Sequence, residues 1–113
     1  MAYDDPLSQR IRDVLADGPD ISEKRMMGGV CFFLRGNMVC GADRSKEGRP
    51  RLMFRVGKDN EAAAALPLGM PMVLGGRQMR GFYCVDGDRC DDHLLQRWLD
   101  LALVHARSLP PQG

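Results

Sequence analysis

Four arginines fall in segments with the alternating pattern of β-strands and could together bind an anion. The segment RLMFRV places Arg51, Met53 and Arg55 on one face of a strand and Leu52, Phe54 and Val56 on the other. Arg77 and Arg80 belong to a later strand-like segment, RQMRGFYCVD. If these two strands pair, the four guanidinium groups form a basic surface suited to phosphate or to an acidic protein. The alternative is a solvated sheet face whose arginines pair with nearby Asp and Glu.

The cysteines and histidines predict neither a metal site nor a nucleophilic enzyme. The histidines lie twelve residues apart, and no Cys-x-x-Cys pair occurs among the four cysteines, Cys31, Cys40, Cys84 and Cys90. We therefore expect no metal, no cofactor and no catalytic residue, and reduced thiols that fill the core. Cys90 directly precedes a predicted helix, whose dipole would lower the pKa of its thiol.

Several glycines are expected to have structural roles. Gly28-Gly29 lacks the further glycine of a dinucleotide motif and the Gly-Lys-Ser/Thr of a P-loop, so we expect a bend or tight turn there. Gly36 fits a hairpin turn, and Gly81 fits a bulge or a close approach of two backbones.

The elements that position these residues are three helices and a series of strands. An apolar helical pattern runs from about Asp5 to Ala16 and ends at Gly18-Pro19. Strands are predicted in EKRMMGG, VCFFL, MVCGA and RLMFRV, with a second hairpin formed by PMVL and RQMRGFYCVD. Asp59-Asn60 can cap a short helix in EAAAAL, and Asp91 or Asp92 can cap a long helix that reaches about Leu109. The predicted fold is α+β, with an antiparallel sheet of hairpin-linked strands, an N-terminal helix, a short middle helix and a long C-terminal helix.

The first hairpin can be given a register. A two-residue turn at Gly36-Asn37 would pair Arg35 with Met38. Cys31 and Cys40 would then share a face diagonally, roughly 7 Å apart, without a disulfide. Both strands are apolar on both faces, which predicts helices on one side of the sheet and a second subunit on the other, or a wholly internal hairpin. A homodimer is therefore one expectation.

Length and composition limit the class of protein. The 113 residues, 44% apolar and 27% charged, predict one domain over 1–113. The net charge of +1 gives no global attraction to nucleic acid or to a membrane, so we expect neither as a partner. The N-terminus has no apolar segment typical of a secretory signal, which predicts a cytoplasmic protein.

Four motifs follow one another along the chain: KRMMGGVCFFLRGNMVCGA, the Arg-Val-Gly at 55–57, GRQMRGFYCVD and a closing helix that ends in HARSLP. Their order and spacing resemble the N-terminal domain of the TfoX/Sxy competence regulators. The resemblance implies a helix, an antiparallel sheet and packed helices, with a non-enzymatic role in the bacterial cytosol. In the full-length regulators a C-terminal helical domain accompanies this one, and the pair is thought to assist a cyclic-AMP-responsive activator. The present chain is expected to lack that second domain.

Two functional hypotheses follow. The first is a regulatory module that binds a protein of the transcription machinery, such as an activator. The second is a small-ligand or nucleic-acid binder that uses the surface of Arg51, Arg55, Arg77 and Arg80.

Overall fold

The computed structural model describes residues 6–15, 18, 20–26 and 28–112. These ranges contain three helices and six strands. Their order along the chain is α1 (Pro6–Leu15), β1 (Ile21–Met26), β2 (Gly29–Leu34), β3 (Asn37–Arg44), β4 (Pro50–Arg55), α2 (Glu61–Ala64), β5 (Met70–Leu74), β6 (Arg77–Asp86) and α3 (Asp92–Arg107). The predicted ends of the first helix at Asp5 and Ala16 lie outside the described residues, as does Pro19.

The six strands form a single antiparallel sheet in the order β1-β2-β3-β4-β6-β5. This architecture confirms the predicted α+β class and the three predicted helices. The first strand was misplaced, because it occupies Ile21–Met26 and stops before Gly28, which turns with φ 81°. Gly29 then begins β2, so the Gly28-Gly29 pair belongs to a turn and the start of a second strand.

The described helices pack against one face of the sheet. The apolar side of α1, centred on Ile11, and the stripe of α3, centred on Trp98, are fully buried with the inward side chains of the central strands. The Trp98 ring stacks on Phe54 of β4 with 5.4 Å between the ring centroids. Strand alternation turns every second side chain of these strands away from the helices. None of the described helices covers that opposite face.

The predicted turn of the β2–β3 hairpin is wrong by one residue. Leu34 pairs with Asn37, so the two turn residues are Arg35 and Gly36, with φ 51° and 82°. Two positive φ values match the twist of the strands, although they are costly for arginine. Asp20 holds Arg35 there, because its carbonyl accepts the Arg35 N–H at 3.0 Å and its carboxylate accepts the Arg35 guanidinium at 3.1 Å.

The predicted register of the two cysteines is wrong as well. An irregularity between Phe32 and Phe33 shifts the pairing, so that Phe32 lies opposite Cys40 and Cys31 lies opposite Gly41. Cys40 therefore points into the core, whereas Cys31 points to the face without helices.

The segment that follows α3 is fixed to the β2–β3 turn. The Gln112 N–H donates to the Arg35 carbonyl at 2.8 Å, and the Asn37 side-chain amide donates to the Pro110 carbonyl at 2.9 Å. Asn37 is 4% exposed, and the bond to the Pro110 carbonyl gives its buried amide a partner. The segment from Pro110 to Gln112 is therefore hydrogen-bonded to the β2–β3 hairpin.

At each of the two predicted capping sites, one of the two candidate residues caps the helix. Asn60 accepts the Ala63 N–H at 3.0 Å, and Asp91 accepts the Leu94 N–H at 2.8 Å. The long helix ends at Arg107, two residues earlier than predicted. In the part of the chain that the structure describes, no helix has the length and apolar character needed to cross a membrane.

Candidate functional site

The sheet face that points away from the helices, here called the outer face, is covered by none of the described helices. The strand pairings link one row of residues across all six strands. This central row runs, in strand order, through Lys24, Cys31, Gly41, Met53, Cys84 and Met70. The four inner members of the row are apolar and at least half-buried by their neighbours. An apolar strip therefore crosses the middle of the outer face.

A charged row lies beside this strip, towards one end of the strands. Arg51 donates two hydrogen bonds to Asp43 on the neighbouring strand, at 2.7 and 3.0 Å, and lies opposite Asp86 on the other side. The Asp43 carboxylate raises the pKa of Arg51. Arg49 lies 4.0 Å from Asp86, so this end of the outer face carries both signs of charge.

Aromatic side chains lie towards the other end of the strands. Phe33 pairs with Met38 across β2 and β3, and Phe82 pairs with Arg55 across β6 and β4. The Arg55 guanidinium carbon is 5.9 Å from the centroid of the Phe82 ring, within the range of a cation–π contact.

The structure distributes the four candidate arginines along two strands. Arg51 and Arg55 occupy the outer face at opposite ends of β4, whereas Arg77 lies opposite Leu74 at the tip of the β5–β6 hairpin. Arg77 is nine residue steps along β6 from Asp86, the neighbour of Arg51, which is about 30 Å of extended strand. Arg80 forms an ion pair with Asp59 at 3.2 Å. A binding role for these arginines stays a prediction.

The β5–β6 hairpin presents exposed apolar side chains at one edge of the sheet. Met70, Val73 and Leu74 are 67%, 61% and 54% exposed, and the hairpin turns at Gly75 and Gly76. β5 forms an outer edge of the sheet, so one side of its backbone is unpaired within the sheet. Pro71 was the available signal, because proline inside a strand is typical of an edge position.

The predicted structural glycines occupy two kinds of position. Gly28 and Gly36 take φ 81° and 82° in turns. Gly29 and Gly81 lie where backbones meet: a Cβ on Gly29 would collide with the Ala42 carbonyl, and one on Gly81 would lie 2.9 Å from the Gly57 carbonyl carbon.

The cysteines are free thiols of two kinds. Cys40 and Cys90 are buried in the core, whereas Cys31 and Cys84 are half-buried on the outer face. The expected lowering of the Cys90 pKa is wrong, because burial raises that pKa to about 11 and outweighs the opposite effect of Arg10. Burial also raises the pKa of Cys31 and of Cys84.

Other features that could hold a ligand are limited. Over the described ranges, no group of three or more His, Cys, Asp and Glu side chains is placed to hold a metal ion. A cleft of about 390 Å³ lies between α1, the β2–β3 turn and α3, with an apolar wall and with Arg35 and Arg107 among its lining residues. The Arg35 guanidinium is already bound to Asp20.

Comparison with known proteins identifies a family to which the chain is similar. The family model of the TfoX N-terminal domain matches residues 13–106, which include all six strands and nearly all of α3. No curated protein matches the chain.

Proposed function

The chain belongs to the family of the TfoX N-terminal domain, and from this premise we propose that it is a regulatory module that binds a protein of the transcription machinery. The family is regulatory and non-catalytic, and the match over residues 13–106 is the observation that carries the proposal. The role proposed is therefore binding, with a transcription activator or RNA polymerase as the partner.

The β5–β6 hairpin is the surface best suited to that partner. Leu74 and Arg77 lie opposite each other at its tip, and both are exposed. Among the described residues, no ion pair or hydrogen bond occupies the Arg77 guanidinium. A partner with an acidic surface beside an apolar pocket would bury the leucine and pair with the arginine.

The edge of β5 supports the same surface. Its outward backbone groups can accept an added strand, while Val73 and Met70 offer exposed apolar side chains. Pro71 removes one backbone donor, so added pairing is limited to the part of β5 nearer the tip. This is the part that carries Val73, Leu74 and the turn to Arg77.

Affinity capture from bacterial cytosol at low salt tests this function. The wild-type chain is expected to retain RNA polymerase or a transcription activator, and Arg77→Glu combined with Leu74→Asp is expected to reduce the retained amount at least tenfold. Both residues are exposed at a turn, so the double variant should fold normally. Arg97→Glu combined with Val104→Asp, on the exposed side of α3, is the matched control and should retain the partner.

Two results would contradict the proposal. One is the absence of any transcription component at low salt, where contacts between opposite charges are strongest. The other is a band shift of duplex DNA by the isolated chain at low ionic strength, lost in variants of Arg51, Arg55, Arg77 and Arg80, which would favour the nucleic-acid alternative.

A further inference from the structure

We propose that the outer face binds a second copy of the chain, face to face, around a two-fold axis that runs between β3 and β4 and close to the strand direction. Two sheets packed in this way form a sandwich about 10 Å thick, with strands aligned within about 30°. The axis exchanges β3 with β4, β2 with β6 and β1 with β5 of the two copies. The pattern of the outer face is complementary to itself under this exchange.

The central row matches itself in polarity. Gly41 of one copy meets Met53 of the other, and both positions are apolar. Within each copy the Met53 methyl and the Cys31 sulfur already lie over Gly41, 3.3 and 3.4 Å from the place of a Cβ, so the row is an apolar surface of closely packed side chains. Because methionine is flexible, it can adapt to the facing copy. The same exchange places Cys31 of one copy against Cys84 of the other.

The charged row matches itself in sign. The exchange of β3 and β4 brings Asp43 of each copy against Arg51 of the other. The intrachain pair, joined at 2.7 Å, then becomes one side of a square of two carboxylates and two guanidinium groups. Each charge in the square has neighbours of the opposite sign, and a bidentate pair is already oriented within each copy. This complementarity favours a second copy over a partner with one sign of charge.

Aromatic side chains of the two copies also face each other in the proposed dimer. The exchange of β2 and β6 brings Phe33 of one copy towards Phe82 of the other, at the end of the strands opposite to the charged row. Phenyl rings that meet in this way contribute beyond the area they bury.

The size of the outer face is sufficient for a specific dimer. The sheet has six strands spaced about 4.8 Å apart, each about six residues long. Treated as flat surfaces, the two facing sheets would together bury on the order of 1,000 Å². That area reaches the lower range of specific interfaces.

Cross-linking between two variants, each of which keeps one of the two outer-face cysteines, tests the axis directly. Cys31→Ser retains Cys84, and Cys84→Ser retains Cys31. A short bis-methanethiosulfonate reagent should join the two variants after they are mixed and should join neither variant to itself. A direct disulfide is not expected, because sheets about 10 Å apart place the Cα atoms beyond disulfide reach. Cys40 and Cys90 are 0% and 2% exposed and remain unreactive in both variants.

Each result of the mixing experiment either supports or overturns the proposed axis. Cross-linked dimer in the mixture alone supports the two-fold axis between β3 and β4. Cross-linking of Cys84→Ser with itself would overturn this axis, because Cys31 would then face its own counterpart. No cross-link in the mixture would also overturn it.

Sedimentation equilibrium supplies a test without cysteine chemistry. The wild-type chain should be dimeric at about 1 mM, and Gly41→Arg should weaken dimerisation at least 100-fold, because it would place a long charged side chain in the middle of the apolar strip of each copy. Val104→Arg places the same side chain on exposed α3 and should leave the dimer unchanged. Circular dichroism and thermal melting should show that both variants are folded. A monomeric wild type, or a Gly41→Arg variant that stays folded and dimeric, would overturn the proposal.

Discussion

Cys31 and Cys84 should be the thiols that react in the folded protein. Both are half-buried on the outer face, and burial raises the pKa of each from its ordinary value of 9.0, so the unreactive thiol form dominates at neutral pH. Alkylation of dilute protein should be slow at pH 7 and about tenfold faster for each unit of pH until the thiols titrate. Mass spectrometry of tryptic peptides measures the two sites separately.

Cys90 provides the contrast within that experiment. Its pKa of about 11 and its 2% exposure predict labelling only after denaturation. If Cys90 were alkylated as fast as Cys31 in the native protein, the helix-dipole expectation would be right and the effect of burial wrong. The sequence places Cys90 before a helix, but it does not reveal the burial that decides the pKa.

His105 should make the protein less stable in mild acid. Burial first, and the charge of Arg55 second, lower the pKa of this imidazole below its ordinary value of 6.5. The unfolded chain therefore binds the proton more readily than the folded one. The stability from neutral His105 is complete above about pH 6.5 and is lost as the pH falls from there towards the lower folded pKa.

A pair of histidine variants isolates this effect. Urea unfolding at pH 7.5 and pH 5 should show a smaller loss of stability for His105→Gln than for the wild type, because glutamine does not take up a proton. His93→Gln, which changes an exposed histidine at the start of α3, should behave like the wild type. Equal pH dependence in all three proteins would contradict the assignment to His105.

Asn37 connects the first hairpin to the segment that follows α3. Asn37→Ala removes the bond to the Pro110 carbonyl and should lower the free energy of unfolding by about 1–3 kcal/mol. Hydrogen exchange should become faster at the backbone N–H of Gln112, which is bonded to Arg35 at 2.8 Å. Gln112→Ala is the control, because that bond uses the backbone and remains. Unchanged exchange at Gln112 in Asn37→Ala would show that the segment is held by other contacts.

The predictable and unpredictable parts of the fold have different physical causes. Periodic apolar patterns and capping residues such as Asp91 are local, so the type and order of the elements could be predicted from the sequence. The turn at Arg35-Gly36 depends on Asp20, fifteen residues earlier in the chain, and a local preference for glycine first in the turn therefore gave the wrong register. Gly41 was missed for the same reason, since its position between Cys31 and Met53 follows from that register.

The proposed dimer and the proposed partner surface share Met70, which lies at the end of the central row, and otherwise use different parts of the molecule. The helices close one face of the sheet, the outer face binds a second copy, and the β5–β6 hairpin remains at the edge. A two-fold axis between β3 and β4 places the two hairpins on opposite edges of the sandwich. A dimer would then present two hairpins, and a partner with two binding sites would gain apparent affinity.

Dimerisation through the outer face should make thermal stability depend on protein concentration. The folded dimer dissociates when its subunits unfold, so mass action raises the Tm of the wild type as the concentration increases. Gly41→Arg should melt at one temperature regardless of concentration, because its folded state is monomeric. Arg77→Glu, on the hairpin, should retain the dependence of the wild type. Scanning calorimetry over a hundredfold range of concentration makes the comparison, and a wild-type Tm independent of concentration would contradict a dimer coupled to folding.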